Sequence, residues 1–84
     1  MGNPFTEDTL STVMLYGRNY SPGEDGIIRI PLKDAEATVE LKTEGLKRKD
    51  WYYLTQLRGR RHLSVAFSSL MEQLNILIKK EELA

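Results

Sequence analysis

The feature that most constrains the fold is one helical pattern at the C-terminal end of a chain that otherwise alternates like strands. Between residues 69 and 80, apolar side chains recur every three or four residues. They form a single stripe: Leu70, Met71, Leu74, Leu77 and Ile78. Ser69 and Glu72 have the spacing of a capping box, and Lys79 and Lys80 follow where cations complement exposed carbonyls. One such helix can cover one face of a small sheet, so the pattern predicts an α+β fold.

Strand-like segments come before this helix. Residues 37–43 alternate apolar and polar side chains without interruption, which is the pattern of a half-buried strand. Residues 27–32 place three aliphatic side chains on one face, and Pro31 limits this strand to an edge because proline cannot donate a ladder hydrogen bond. Residues 12–16 have strand composition, although a short helix capped by Thr6 is an alternative interpretation.

We therefore predict a small antiparallel sheet of four to five strands with one C-terminal amphipathic helix, in a single domain that spans residues 1–84. The chain has 84 residues and no cysteine, so neither disulfides nor a thiolate-bound metal can hold its core. Aliphatic and aromatic residues must supply the interior, and a second subunit would add buried surface to it. For this reason we expect the protein to form a homo-oligomer.

The sequence lacks the residue patterns of the common catalytic and metal sites. His62 is the only histidine, and the carboxylates are scattered over turns and over the polar faces of strands. The chain has no phosphate-binding loop, no dinucleotide fingerprint and no nucleophile elbow. We therefore expect no catalytic residues, no cofactor and no metal, and we predict that the protein is not an enzyme.

The hydrophobic pattern predicts a cytoplasmic protein. No apolar run approaches the roughly 18 residues that a membrane-spanning helix needs. The first eight residues contain neither the basic region nor the apolar region of a signal peptide. We therefore expect no association with a membrane.

The strongest pointer to a ligand is a segment in which positive charge is interleaved with aromatic rings. Residues 47–62 contain six of the twelve lysines and arginines, three of the seven aromatic residues and the only histidine. The net charge of the chain is zero, but residues 1–46 carry four cations and eight acids, whereas residues 47–84 carry eight cations and four acids. This composition is typical of a surface that binds a polyanion with stackable bases.

The conformation of this segment has two interpretations. A helix from Arg48 would gather most of its apolar residues on one broad side. A β-hairpin around Arg58 and Gly59 would pair residues 51–57 with residues 60–67. We favour the hairpin, because its second half alternates well and the Trp-Tyr-Tyr run has strand composition. It would have one apolar face: Tyr52, Leu54, Leu63, Val65 and Phe67.

If the C-terminal helix covers that face, Trp51 and Tyr53 point away from the helix. Nine residues then form the candidate binding site: Lys47, Arg48, Lys49, Trp51, Tyr53, Arg58, Arg60, Arg61 and His62. Our first hypothesis is a non-enzymatic module that binds single-stranded nucleic acid, with cations on phosphates and rings stacked on bases. Our second hypothesis is a protein-binding module (an inhibitor, adaptor or accessory subunit of a larger assembly) that uses the same aromatic patch as its anchor.

Overall fold

The computed structural model describes residues 10–42 and 51–84 and has the α+β architecture that the sequence predicts. Its strands and its helix follow in this order: β1 Val13–Leu15, β2 Arg18–Tyr20, β3 Ile28–Pro31, β4 Glu36–Lys42, β5 Tyr52–Leu57, β6 Arg60–Ser64 and α1 Phe67–Leu77. A short 3-10 turn, Lys80–Glu82, comes after α1. The expected antiparallel sheet with one C-terminal helix is therefore confirmed.

A second, two-stranded sheet is the element that sequence reasoning did not find. β1 and β2 pair in antiparallel fashion through a two-residue turn, in which Tyr16 and Gly17 have φ values of 52° and 80°. Two positive φ values in such a loop correspond to a type I′ turn, whose twist suits paired strands. β2 reads Arg-Asn-Tyr and has too little apolar alternation to predict a strand. The strand interpretation of residues 12–16 is confirmed, and the helix interpretation is wrong for residues 10–16. The expected helix cap, Thr6, lies outside the described residues.

The larger sheet is an antiparallel meander with the strand order β3-β4-β5-β6. One row of side chains crosses all four strands, since Ile28 pairs with Val39, Val39 with Thr55, and Thr55 with His62. β3 lies at one edge, as predicted from Pro31, and β6 lies at the other.

The core lies between one face of the larger sheet, the small β1–β2 hairpin and α1. Each of these elements contributes fully buried aliphatic side chains: Val13, Leu15, Ile28, Ile30, Val39, Leu70, Leu74 and Ile78. The predicted helical stripe is confirmed, because it supplies three of these residues, and its other two, Met71 and Leu77, are partly buried against the same cluster. The buried aliphatic side chains of β3 and β4 fix which face of the sheet points toward this core. On the opposite face, Leu54 of β5 is also buried but lies outside this cluster.

α1 begins before the predicted position. Its first residue is Phe67, its N-cap is Ala66, and no side chain caps it. The predicted capping box of Ser69 and Glu72 is therefore wrong, since both residues lie inside the helix. The two lysines expected in the last turns follow the end of the helix instead. Among the described residues, no helix has the length and the apolar character needed to cross a membrane.

The chain beyond α1 returns to the edge of β3. Leu83 forms an isolated antiparallel bridge with Leu32, and both side chains are buried. The N–H of Lys33 donates to the carbonyl oxygen of Glu82 at 2.9 Å. The β3 edge is therefore partly covered, whereas within residues 10–42 and 51–84 no strand pairs with the outer side of β6.

Candidate functional site

β5 and β6 form the hairpin that the sequence predicts, with an unusual residue in its turn. Arg58 and Gly59 connect the strands and have φ values of 50° and 78°. This is again the type I′ conformation, which glycine adopts freely. For arginine the left-handed conformation costs roughly 1–2 kcal/mol, so the surrounding structure must hold it there. The helix interpretation is wrong for residues 52–64.

Two carboxylates hold the side chain of Arg58. Its Nη2 donates to Oδ1 of Asp34 at 2.8 Å and to Oε2 of Glu82 at 3.2 Å. The hydrogen bond from Arg58 lowers the pKa of the Asp34 carboxyl, and the same bond raises the pKa of the guanidinium. Arg58 thus joins its turn to the β3–β4 link and to the C-terminal segment, and its charge is already balanced within the molecule.

The face of the hairpin that packs against the core is the opposite of the one that the sequence predicts. Leu57 belongs to the core, Thr55 is fully buried, and Tyr53 packs against the same cluster. The ring of Tyr53 meets that of Phe67 edge-on, with centroids 6.0 Å apart and 73° between the planes. The expectation that Tyr53 points away from the helix is therefore wrong. The supposed core residue Leu63 lies on the outer face.

The reason lies in the other two strands of the sheet. On β4, Ala37 and Val39 are buried on the side that α1 covers, whereas Thr38 and Glu40 lie on the outer side. The helix covers the face that is apolar across β3 and β4, and this also decides the orientation of β5 and β6. The β5–β6 hairpin considered alone predicts the opposite orientation, because its face with Leu54 and Leu63 is more apolar than its face with Thr55 and His62.

The described members of the predicted site are divided between the two faces of the hairpin. Arg60 and His62 lie on the helix side of β6, whereas Arg61 lies on the outer face. Trp51 is half-buried immediately before β5. Three further members of the predicted site lie outside the described residues: Lys47, Arg48 and Lys49.

Sequence reasoning also missed the apolar side chains that this region exposes. Leu63 on β6 is 63% exposed, and Val65 directly after the strand is 82% exposed. Both were assigned to the core because they alternate with polar residues, and alternation alone does not tell which face is covered. Single exposed apolar residues are common, but two of them along an edge strand whose outer side has no partner in the described part of the chain indicate a contact surface.

The backbone of β6 also offers hydrogen-bonding groups along the outer edge of the sheet. In an antiparallel hairpin, hydrogen-bonded and non-bonded pairs alternate, and a two-residue loop closes on a bonded pair, here Leu57 and Arg60. It follows that Arg61 and Leu63 point their N–H and C=O groups away from β5. We call this outer backbone, together with the side chains of Arg60, Arg61, Leu63 and Val65, the open edge.

Other kinds of site find no counterpart in the described part of the chain. There, no group of three His, Asp or Glu side chains is placed to hold a metal ion, and no pocket is present. Comparisons with protein-family models, with curated proteins and with solved structures find no match for this chain. The open edge must therefore be interpreted from its own chemistry.

Proposed function

We propose that this chain is a small protein-binding module whose partner adds an extended segment to the open edge. The observation that carries the proposal is a combination on β6: an outer backbone that pairs with no strand in residues 10–42 and 51–84, together with exposed Leu63 and neighbouring Val65. Strand addition uses both features, because main-chain hydrogen bonds supply affinity and alternate side chains supply specificity. The role that follows is that of an inhibitor, an adaptor or an accessory subunit, without catalysis.

Binding of single-stranded nucleic acid has less support from the geometry. Of the two rings expected to stack on bases, Tyr53 packs against Phe67 and the core, and Trp51 is half-buried. The charge of Arg58 is balanced by two carboxylates, which leaves Arg60 and Arg61 as phosphate contacts on the described hairpin. Two contacts to a single strand correspond to a log–log salt slope of only roughly −1.4.

The proposal is tested by recovering partners from cells of the source organism with three forms of the tagged protein. These are the wild type, the double variant Leu63→Lys with Val65→Lys, and the control Ile76→Lys. Ile76 is 74% exposed on α1, so the control places a single lysine at an exposed apolar position outside the open edge. All three should fold, because substitutions at exposed positions change stability by about 0.5 kcal/mol or less.

We expect a protein partner that the wild type and the control retain at equal yield and that the double variant loses. Recovery that is equal for all three forms contradicts the proposal. So does a retained component that nuclease removes, since that result identifies the ligand as nucleic acid. Sedimentation equilibrium of the same forms tests the expected homo-oligomer, whose mass should fall to that of a monomer in the double variant if two copies meet at this edge.

A further inference from the structure

We infer that the partner segment is acidic, with a carboxylate opposite Arg60, another opposite Arg61 and an apolar residue opposite Leu63. The inference rests on the proposed function, because it specifies the partner of the same open edge. It depends on three features of the structure: which arginines lack an oxygen partner, what the neighbouring strand carries, and how the side chains of β6 alternate.

The first feature is a contrast among the arginines of the described residues. Arg18 donates to the carbonyl oxygen of Ala84 at 2.6 Å, Arg29 pairs with Asp25 at 2.7 Å, and Arg58 pairs with its two carboxylates. Two arginines are exposed and form neither an ion pair nor a side-chain hydrogen bond within residues 10–42 and 51–84: Arg60 and Arg61. They are adjacent, and both lie on β6, the edge strand of the four-stranded sheet whose outer side has no strand partner among the described residues.

The second feature is the absence of acid from the strand that flanks them. β5 contains no aspartate or glutamate, and its residue beside Arg61 is Gln56. One strand further, the carboxylate of Glu40 lies 3.7 Å from Nζ of Lys42 and is already paired. The positive charge at the open edge is therefore available to a carboxylate arriving from outside. An isolated pair of cations on an edge also disfavours partners without acid, since unmatched charge discourages edge-to-edge pairing.

The third feature is the alternation of β6, which sets the order of residues in the partner. Arg61 and Leu63 share the outer face, while Arg60 and His62 share the helix side. Every strand pair described in this fold is antiparallel. From its N-terminal end, an antiparallel partner would therefore have an apolar residue opposite Leu63 and any residue opposite His62. Two acidic residues would follow, the first opposite Arg61 and the second opposite Arg60. Directly opposed charges and directly opposed apolar side chains both stabilise a strand pair.

The experiment is a titration of the 15N-labelled protein with two synthetic ten-residue peptides, followed by amide NMR shifts. The acidic peptide contains Val-Thr-Asp-Glu flanked by threonines, and its matched control contains Val-Thr-Asn-Gln. We expect both to shift the amides of Arg61 and Leu63, because both supply a strand. The acidic peptide should bind roughly tenfold more tightly at low ionic strength, as two exposed charge pairs allow, and its advantage should shrink as salt is added.

A variant of the protein separates charge recognition from strand addition. In Arg60→Gln combined with Arg61→Gln, the two peptides should bind equally. Equal binding of both peptides to the wild type overturns the inference and leaves strand addition standing. If neither peptide shifts the amides of β6, or if an oligothymidylate shifts them at lower concentration than the acidic peptide, the proposed function fails as well.

Discussion

The two hairpins of this chain share a turn and differ in their surroundings. In each, a residue with positive φ is followed by a glycine: Tyr16 in the β1–β2 hairpin and Arg58 in the β5–β6 hairpin. In each, the first turn residue also reaches the C-terminal segment. The Tyr16 hydroxyl donates to the carbonyl oxygen of Ile78 at 2.8 Å, and the Arg58 guanidinium contacts the Glu82 carboxylate. The C-terminal segment thus anchors both turns.

The hairpins differ in what their strands bury. β1 places Val13 and Leu15 in the core with no exposed surface, whereas β6 buries only Ser64 and leaves Leu63 exposed. Each hairpin has one strand with core residues, β1 or β5, and one strand that is mostly exposed, β2 or β6. The difference lies in the exposed strands: β2 exposes the polar residues Arg18 and Asn19, whereas β6 exposes the apolar Leu63. Turn geometry therefore does not decide whether a hairpin is structural or available for binding. The elements packed against its strands decide this.

The largest effect should come from removing one leucine from each hairpin. Leu15→Ala should lower the free energy of unfolding by about 2–5 kcal/mol, because it opens a cavity in the core. Leu63→Ala should change it by about 0.5 kcal/mol or less, since its side chain is exposed. Urea unfolding measures both. A cost for Leu63→Ala close to that of Leu15→Ala would show that the open edge is covered in solution.

The two turn glycines should respond alike. Gly17→Ala and Gly59→Ala each force alanine into a left-handed conformation at a cost of about 1–2 kcal/mol. An added Cβ would have no heavy atom within 4 Å at either position, so backbone strain is the only expected cause. The thermal midpoints of the two variants should agree closely. A much larger drop for one of them would show that the hairpins do not share this turn.

A buried hydroxyl distinguishes β5 from β1. Thr55 is fully buried, and its Oγ1 has no hydrogen-bond partner among the described residues, whereas the buried residues of β1 are apolar. Thr55→Val keeps the branched shape and removes the unpaired hydroxyl, so it should stabilise the protein by about 1 kcal/mol. Denaturant unfolding gives the sign. Destabilisation instead would mean that the hydroxyl is hydrogen-bonded in solution.

The smallest effect should be a difference in acid sensitivity between the two turn anchors. Arg58 lowers the pKa of Asp34 in the folded protein. The ion pair therefore stabilises the folded protein above the ordinary aspartate pKa of about 4, and this contribution is lost as the pH falls through the lowered pKa. Asp34→Asn should therefore lower the midpoint slightly at pH 6 and flatten its decline below pH 4. Tyr16→Phe removes an anchor without a carboxylate and should leave that decline unchanged. An identical acid decline in the wild type and in Asp34→Asn would show that the ion pair does not form.

The fold was more predictable than the site, for a physical reason. The α1 stripe and the strands around Ile28 and Val39 could be predicted because burial against a core imposes a period on the sequence. β2 lacks that period and was missed. For β5 and β6, the alternation of side chains was predicted correctly, but the buried face was not. The faces of β3 and β4 decide which side of the sheet the helix covers. The predicted site therefore included Tyr53, which packs against the core, and omitted Leu63.

The partners of Arg58 could not be predicted from local sequence either. Asp34 and Glu82 are each 24 residues from Arg58 along the chain, and only the packed fold brings them to the turn. Sequence alone presents Arg58, Arg60 and Arg61 as one cationic cluster. In the structure, the first is an internal anchor and the other two remain at the surface.

The central claim is that β6 is an open edge in the free protein, and amide hydrogen exchange tests it most directly. The amides of Arg60 and His62 face β5, and those of Arg61 and Leu63 face outward. In the isolated protein at low concentration, we predict strong protection of the first pair and rates near those of an unfolded chain for the second pair. Equal protection of all four amides would contradict the account, because it would show that another segment already occupies this edge.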